Sequence, residues 1–350
     1  MTFKQFKNKS FAISVISAAL MTSFSVSSTT MVRMSIDGNP NANPDLPAVR
    51  SIQYLKDELE KTGDFRVKVF WDNRLAKSPQ SQINGIQNNL FQLTGIALPA
   101  VSEFSPAYIP LSNLFLFKYP DVESPRKFID GKGGQMMSKR MNDETGLRAE
   151  LYMEVGYRHL TSIDKPIEEL SDIKNRKIRV QPNPIHIEAF KELGASPTPI
   201  SWAELFTSLQ QKVIDGAENP FDNIVQARLY EPQKYLTLSG HAYDFVGYFT
   251  NEAFYQGLTD KEKSSWDQAF DKTQLYFRGI VDQSWAQQLE FLKDGKMAVT
   301  YLSDQELDKF KKAVSKSWDL SEKIMAERYP DGAEYYSTIM SEIKSANTSQ

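Results

Sequence analysis

The sequence predicts an α/β protein made of two lobes, each a β-sheet flanked by helices. Its 350 residues are enough for two lobes rather than one. A helical pattern over residues 52–59 is followed by an alternating strand over residues 65–69, which is the start of a β-α-β unit. Further along, Pro182 cuts off a short strand and so places Arg179 at its carboxyl end. Open α/β sheets bind their ligands at that edge.

The composition is that of an ordinary soluble globular protein. Hydrophobic residues make up 41% of the chain and charged residues 24%. The net charge of -3 gives no support for a nucleic-acid partner, because phosphate binding needs a concentrated basic face. Cysteine is absent, which excludes disulfides, thiolate metal sites and a lipid anchor on cysteine.

The amino end has the pattern of a secretory signal peptide. Lysines within residues 4–9 are followed by an apolar stretch over residues 11–21 and by small residues at 25–28. The apolar stretch is too short to span a bilayer. We therefore expect a signal peptide over residues 1–29 and a periplasmic protein that does not itself span the membrane. A frayed cytosolic tail is the competing interpretation.

A central stretch of the chain contains two helix starts close to Arg179. Ser201 is followed three residues later by a glutamate, which is the pattern of a capping box. Asn219 and Pro220 fit the N-cap and the first position of the next helix. Trp202 and Asn219 are thus expected at helix amino ends, where backbone N–H groups favour anions. An arginine, a flat aromatic ring and an amide suit a carboxylate ligand.

The same stretch carries a multi-part pattern at fixed spacing. Its elements are Arg179, Gly194-Ala195, Pro197-Thr198-Pro199, Trp202, Glu204, Leu209-Gln210, Asp215-Gly216, Glu218-Asn219-Pro220, Tyr230-Glu231, Gln233-Lys234-Tyr235 and His241. This pattern resembles the central signature of the solute-binding proteins of tripartite ATP-independent periplasmic (TRAP) transporters, the dicarboxylate-binding DctP-like family. The similarity extends, more weakly, over nearly the whole chain after residue 30.

The resemblance implies a two-lobed periplasmic binding protein of type II-like fold, whose lobes are joined by strand crossings and a long helix. Thr259 begins a capping box, and apolar residues then recur at helical spacing to about residue 294. Such a helix, over residues 260–294, is about 50 Å long and can lie across both lobes. A coiled-coil or dimer face is the competing interpretation.

The points at which strands cross between the lobes set the expected division of the chain. Lobe I comprises residues 30–156 plus 243–282, and lobe II comprises residues 157–242 plus 283–350.

Three of the expected ligand-binding residues are Arg179, Asn219 and Trp202. The resemblance places the carboxylate-clamping arginine at Arg179, and a guanidinium matches a carboxylate through two parallel hydrogen bonds. A structural salt bridge to Asp172 or Glu188 is the alternative. Asn219 suits an N-cap and a ligand contact equally, and the family position that matches Trp202 is an aromatic residue bordering the ligand.

Two further candidates, Arg158 and His241, rest on weaker grounds. Similar proteins often carry an arginine at the position of Arg158 that approaches the ligand, and a second cation would suit a dicarboxylate. Solvent exposure is the alternative for Arg158. His241 fits a ligand contact, direct or through water, and equally a hydrogen-bonded structural histidine. Glu218 has the character of a structural residue.

The predicted function is the capture of an organic acid, with a C4-dicarboxylate as one candidate, and its delivery to the small and large integral membrane subunits of a TRAP transporter. A ligand-binding partner of a sensor kinase is the first alternative, and an exported enzyme the second. No hydrolase, zinc-protease, Walker or dinucleotide motif is present, and the three histidines are scattered. We therefore expect no catalytic residue, no metal and no cofactor.

Overall fold

The structure is a computed structural model that describes residues 29–348. The signal peptide expected over residues 1–29 lies almost entirely outside the described residues. Within them, strands form one mixed sheet with helices packed against it, which confirms the predicted α/β class. The strands are β1 (Thr30–Ser35), β2 (Phe65–Phe70), β3 (Leu93–Ala97), β4 (Leu147–Ser162), β5 (Lys177–Val180), β6 (Ser196–Pro199), β7 (Gly216–Asn219), β8 (Tyr235–Asn251) and β9 (Ala298–Tyr301).

The helices vary from single turns to one very long helix. Two 3-10 helices, Pro106–Ser112 and Leu170–Ile173, lie in the connections. The α-helices are α1 (Pro47–Lys61), α2 (Pro79–Gln87), α3 (Leu98–Val101), α4 (Glu123–Asp130), α5 (Lys132–Thr145), α6 (Pro184–Glu192), α7 (Trp202–Gln210), α8 (Phe221–Gln226), α9 (Glu252–Gln256), α10 (Asp260–Lys293), α11 (Asp304–Ala313), α12 (Ser315–Arg328) and α13 (Gly332–Thr348). None of these helices combines the length and apolarity needed to cross a bilayer.

Two long antiparallel strands, β4 and β8, run through both halves of the sheet. The strand order is β2-β1-β3-β8-β4-β7-β5-β6, with β9 also pairing with β8. The pairing of β4 with β8 extends from Leu147 opposite Asn251 to Ser162 opposite Tyr235. It is interrupted by three register shifts, one of them just before Gly156, which has a φ of +91°. We propose that the first lobe lies on one side of Gly156 and the second lobe on the other.

Each half of the sheet has its own apolar core. In the first lobe, α1 and α10 cover β1 and β2, and Leu55, Trp266 and Phe277 are fully buried there. In the second lobe, one face of the sheet packs against α6 around Ile178 and Phe190, while the other face packs against α7 and α8. The second-lobe sheet is therefore a layer between helices on both sides.

Helix α10 forms where the spacing of apolar residues predicted it. Thr259 caps its amino end, since the Thr259 side chain accepts from the Glu262 N–H and the Thr259 N–H donates to Glu262 Oε2 at 2.9 Å. The helix has 34 residues and packs against α1 and β4 at one end and against α8 and β9 at the other. Its large apolar residues Trp266 and Phe277 are buried inside this chain, so they are not available as a dimer face.

The carboxyl-terminal helices bear on the division into lobes. Helix α13 packs against α4 and α5, which belong to the first lobe. The expected division placed all of residues 283–350 in the second lobe. We propose instead that the first lobe includes Gly332–Thr348, and we retain the other boundaries.

Candidate ligand-binding site

The candidate site lies where β5 and β7 end beside the crossing strand β4. Strands β5 and β7 are parallel, with Arg179 in register with Ala217. Residues in register share a face of the sheet, and successive residues alternate between faces. Arg179, Ala217 and Asn219 therefore lie on the face covered by α7 and α8, whereas Glu218 lies on the face covered by α6.

Arg179 is a buried cation with an open hydrogen-bonding fork. Its side chain is 2% exposed, and Nε donates to the carbonyl oxygen of Ile200 at 2.9 Å. Neither terminal guanidinium nitrogen has a hydrogen bond or an ion pair with a described residue. Burial lowers the pKa of Arg179 to about 10, so the group is charged at neutral pH. The alternative of a salt bridge to Asp172 or Glu188 is wrong, because both carboxylates bond elsewhere.

Asn219 presents a second unsatisfied polar group on the same face. It is 1% exposed, and both its Nδ2 and its Oδ1 are buried without a hydrogen-bond partner. The expected N-cap role is wrong, because Pro220 takes the N-cap position in an extended conformation and α8 begins one residue later. Asn219 thus remains the last residue of β7, paired with His159. A buried amide that caps nothing is free to bind a ligand.

Trp202 is the first residue of α7 and lies at the rim of this face. It is 36% exposed and follows closely on Ile200, the residue that fixes Arg179. The expected capping box does not close, because the Ser201 hydroxyl donates to Glu204 Oε2 at 2.7 Å instead of accepting from the backbone. Contact of the Trp202 indole with a ligand stays a prediction.

Arg158 belongs to a different group of residues, on the α6 face. It is 1% exposed, so the expected alternative of a solvated arginine is wrong. Its Nε and Nη2 bind the Glu218 carboxylate, Nη2 also reaches the Glu218 carbonyl oxygen at 2.7 Å, and Nη1 donates to Asp244 Oδ2 at 3.0 Å. Arg158 holds the pKa of Glu218 below its usual range, against the effect of burial. All three guanidinium nitrogens of Arg158 therefore already donate hydrogen bonds to protein oxygens.

His241 joins the same network. It is 2% exposed, its Nδ1 lies 2.7 Å from Ser239 Oγ, and its Nε2 lies 3.4 Å from Glu218 Oε2. Burial lowers the pKa of His241. This is the hydrogen-bonded arrangement that the sequence left open as an alternative, and contact of His241 with a ligand stays a prediction.

Three buried polar residues around Arg158 and Arg179 escaped the sequence analysis in whole or in part. Glu218 was recognised only as structural, and nothing near Asp244 in the sequence marks it as a partner of Arg158. His186, at the start of α6, is 2% exposed with Nδ1 unpartnered, and burial lowers its pKa to about 4. Its position two residues into a helix that follows the Arg179 strand was the available signal.

Two contacts connect the parts of the chain that are expected to form the first and the second lobe. The loop after β1 faces α8, since a methyl group on Gly38 would lie 3.8 Å from Gln226 Nε2. Next to it, Asp37 is exposed to solvent. At another point the lobes touch directly, because Asn183 Nδ2 of α6 lies 2.9 Å from Ser102 Oγ.

The polar groups of Arg179 and Asn219 have the chemistry needed to bind a small anion. Among residues 29–348, no three acidic or histidine side chains are grouped to hold a metal ion. The unpartnered groups of Arg179 and Asn219 are a guanidinium fork and an amide, which match the hydrogen-bonding groups of a carboxylate.

Known proteins resemble this chain over most of its length. A family model described as "Bacterial extracellular solute-binding protein, family 7" matches residues 39–327. A solute-binding protein of Verminephrobacter eiseniae (strain EF01-2) is 30% identical over 272 residues, which cover 77% of this chain and 79% of that protein.

Two solved structures have the same fold. The sugar acid binding protein of Advenella mimigardefordensis strain DPN7T, in complex with galactonate, superposes with a TM-score of 0.81 at 27% identity and covers 91% of this chain and 99% of its own. A TRAP periplasmic solute binding protein from Polaromonas sp JS666, bound to D-erythronate, gives a TM-score of 0.78 at 28% identity, with 89% and 98% covered.

Proposed function

Because the chain belongs to the bacterial extracellular solute-binding proteins of family 7, we propose that it captures an organic acid in the periplasm and delivers it to the small and large membrane subunits of a TRAP transporter. The observation that carries this proposal is the buried guanidinium of Arg179, whose two terminal nitrogens have no partner among the described residues. A buried charge without a partner is costly, and a ligand carboxylate offsets that cost.

The ligand is held in three ways. Arg179 binds the carboxylate through its open fork, and Asn219 adds a donor and an acceptor from the neighbouring strand. Trp202 covers the flat side of the ligand at the rim. The relatives that contain galactonate and D-erythronate support a carboxylate ligand, since both molecules are sugar acids.

Binding is coupled to closure of the lobes. The site residues lie in the second lobe, and the loop that contains Gly38 approaches α8 from the first lobe. A ligand that touches both lobes binds the closed form better than an open one. The ligand shifts the equilibrium only by its difference in affinity for the two forms. The membrane subunits then recognise the closed, loaded form.

The family and its structural neighbours are binding proteins, which favours binding over turnover. A sensor-kinase partner would share the fold, and one small and one large polytopic membrane protein encoded beside this gene would support transport instead. A thermal-shift screen with dicarboxylates, keto acids, sugar acids and aromatic acids identifies the ligand. Calorimetry on wild type and on Arg179→Ala then tests the clamp, and turnover of the bound acid by purified protein would contradict the proposal.

A further inference from the structure

Asn183 connects the two expected lobes through hydrogen bonds. It is fully buried at the amino end of α6, in the expected second lobe. Its Nδ2 donates to the carbonyl oxygen of Pro99 at 3.1 Å, and to the hydroxyl oxygens of Ser102 at 2.9 Å and Ser112 at 3.0 Å. All three acceptors belong to the expected first lobe, on the segment that follows β3. One amide group of the second lobe thus meets three oxygen atoms of the first.

The same side chain also caps α6. Its Oδ1 accepts from the N–H groups of Ile185 and His186, at 2.9 and 3.1 Å. These are the unpaired N–H groups that an N-cap residue normally satisfies. The oxygen of the amide is therefore fixed by α6, while its nitrogen points toward the first lobe. The cap orients the donor independently of the first lobe, so the bridge needs no rearrangement of this side chain to form.

Apolar contact accompanies the polar bridge. Ile185, in the first turn of α6, is fully buried in the same apolar cluster as Leu98 and Leu111 of the expected first lobe. Separation of the two segments would expose this side chain to water, which is unfavourable. The amino end of α6 therefore makes both polar and apolar contacts with the expected first lobe.

The bridge lies beside the proposed boundary between the lobes. Pro99 and Ser112 line a cavity of about 10 Å³, and Asp244 lines it as well. Asp244 is paired with Gly156 across β4 and β8. The cavity has room for about one water molecule, so the junction is nearly dry. An opening movement that separates the two segments by about 1 Å breaks the bridge, because N–H···O hydrogen bonds extend to about 3.2 Å.

Building on the lobe closure of the proposed function, we propose that Asn183 is an interlobe latch, which stabilises the closed form through protein contacts alone. Both polar atoms of its side chain already bond protein groups, so it is a positioning residue and not a ligand contact. The latch raises the fraction of molecules in the closed form before an acid binds. The apparent affinity for the acid rises with that fraction.

Distances between two spin labels test the latch without any ligand. The chain contains no cysteine, so introduced cysteines can be labelled selectively. Asn41→Cys, in the loop after β1, and Thr207→Cys, on α7, place labels at exposed positions of the two expected lobes. Pulsed electron paramagnetic resonance then measures the ratio of open to closed forms.

Asn183→Ser in this labelled protein removes the bridge and keeps a cap. A serine hydroxyl still caps α6, but it is too short to reach the first lobe. We expect the ratio of open to closed forms to rise about threefold to tenfold, the effect of one or two lost hydrogen bonds. The double variant Ser102→Ala with Ser112→Ala removes two acceptors and leaves α6 unchanged, so it should shift the ratio in the same direction.

Asn251→Ser is the matched control. Asn251 also caps a helix, α9, and its Nδ2 also donates to main-chain oxygens, but its partners all lie in the expected first lobe. This variant should lower the thermal stability and leave the ratio of open to closed forms unchanged. A shift as large as that of Asn183→Ser would attribute the effect to general destabilisation and overturn the latch.

Identical distance distributions in wild type, Asn183→Ser and the double serine variant also overturn the latch, and show that the end of α6 moves with the first lobe as one body. Calorimetry with galactonate and D-erythronate, the acids bound in two solved relatives, gives a second readout. We expect Asn183→Ser to weaken binding of an acid by up to about tenfold. Absence of binding of every acid to wild type counts against the proposed function, whereas the distances without acid decide the latch on their own.

Discussion

Glu218 binds Arg158 with both of its carboxylate oxygens, and its Oε1 lies 2.9 Å from Arg158 Nη2. The next residue along β7, Asn219, points to the other face of the sheet and has no partner. Two consecutive residues therefore differ: Glu218 belongs to a buried charge network, and the Asn219 side chain has no hydrogen-bond partner among the described residues. The five residues proposed from the sequence divide along the same line, with Arg158 and His241 in the charge network.

The carboxylate clamp predicts a large loss of affinity in Arg179→Ala. We expect binding to weaken by roughly 2 to 5 kcal/mol, or about 30-fold to several thousand-fold, because a charge-assisted pair is lost. Arg179→Lys is the matched variant and should retain part of the affinity, since it keeps the charge but not the fork. Isothermal titration calorimetry measures both, and thermal unfolding confirms that they fold. Unchanged affinity in Arg179→Ala would contradict the clamp.

The buried network predicts that Glu218→Gln destabilises the protein without ligand. Arg158 would then have Asp244 as its one acidic partner, and breaking a buried pair costs about 3 to 5 kcal/mol. The exposed pair of Lys139 and Asp143 provides the control, because Asp143→Asn should cost less than about 1 kcal/mol. Urea unfolding measures both variants. Equal stability of the two would show that the network contributes little.

The pKa of His186 predicts a loss of stability on acidification. Burial lowers this pKa from 6.5 to about 4 in the folded protein, so the unfolded chain takes up the proton first. The stabilisation is present above pH 6.5 and is lost as the pH falls toward 4. Comparison with His186→Gln isolates this contribution, and we expect wild type to lose about 2 kcal/mol relative to the variant between pH 7 and pH 5. Parallel pH profiles from urea unfolding would refute it.

Replacement of glycine by alanine should have opposite effects on stability at two positions. In Gly156→Ala the new methyl group would lie 2.9 Å from Trp285 Cζ2, and the φ of +91° is strained for alanine, so we expect a loss of about 1 to 3 kcal/mol. Gly279 lies exposed within α10 with open space around it, and Gly279→Ala should stabilise by about 0.5 to 1 kcal/mol. Thermal unfolding tests both, and destabilisation of similar size in each would contradict the contrast.

Local signals in the sequence predicted the elements that depend on local chemistry. The capping box at Thr259 formed as expected, because its two partners lie three residues apart in the chain. Arg179 was placed correctly at a strand end, since Pro182 marks that end.

Contacts between residues that are far apart in the sequence could not be predicted from local patterns. The partners of Arg158 lie 60 and 86 residues further along the chain, so no spacing rule could show that it is saturated. Asn219 was misjudged for the opposite reason, because the Asn-Pro pair has a strong local preference for capping that the β7 pairing overrides. The packing of α13 depends on the tertiary fold alone.

The continuity of β4 and β8 constrains how the cleft can open. A flexible tether would let the lobes drift apart, but here every relative movement must twist or bend two paired backbones at once, near Gly156. We therefore expect the bending stiffness of this strand pair to restrict how the two lobes move relative to each other.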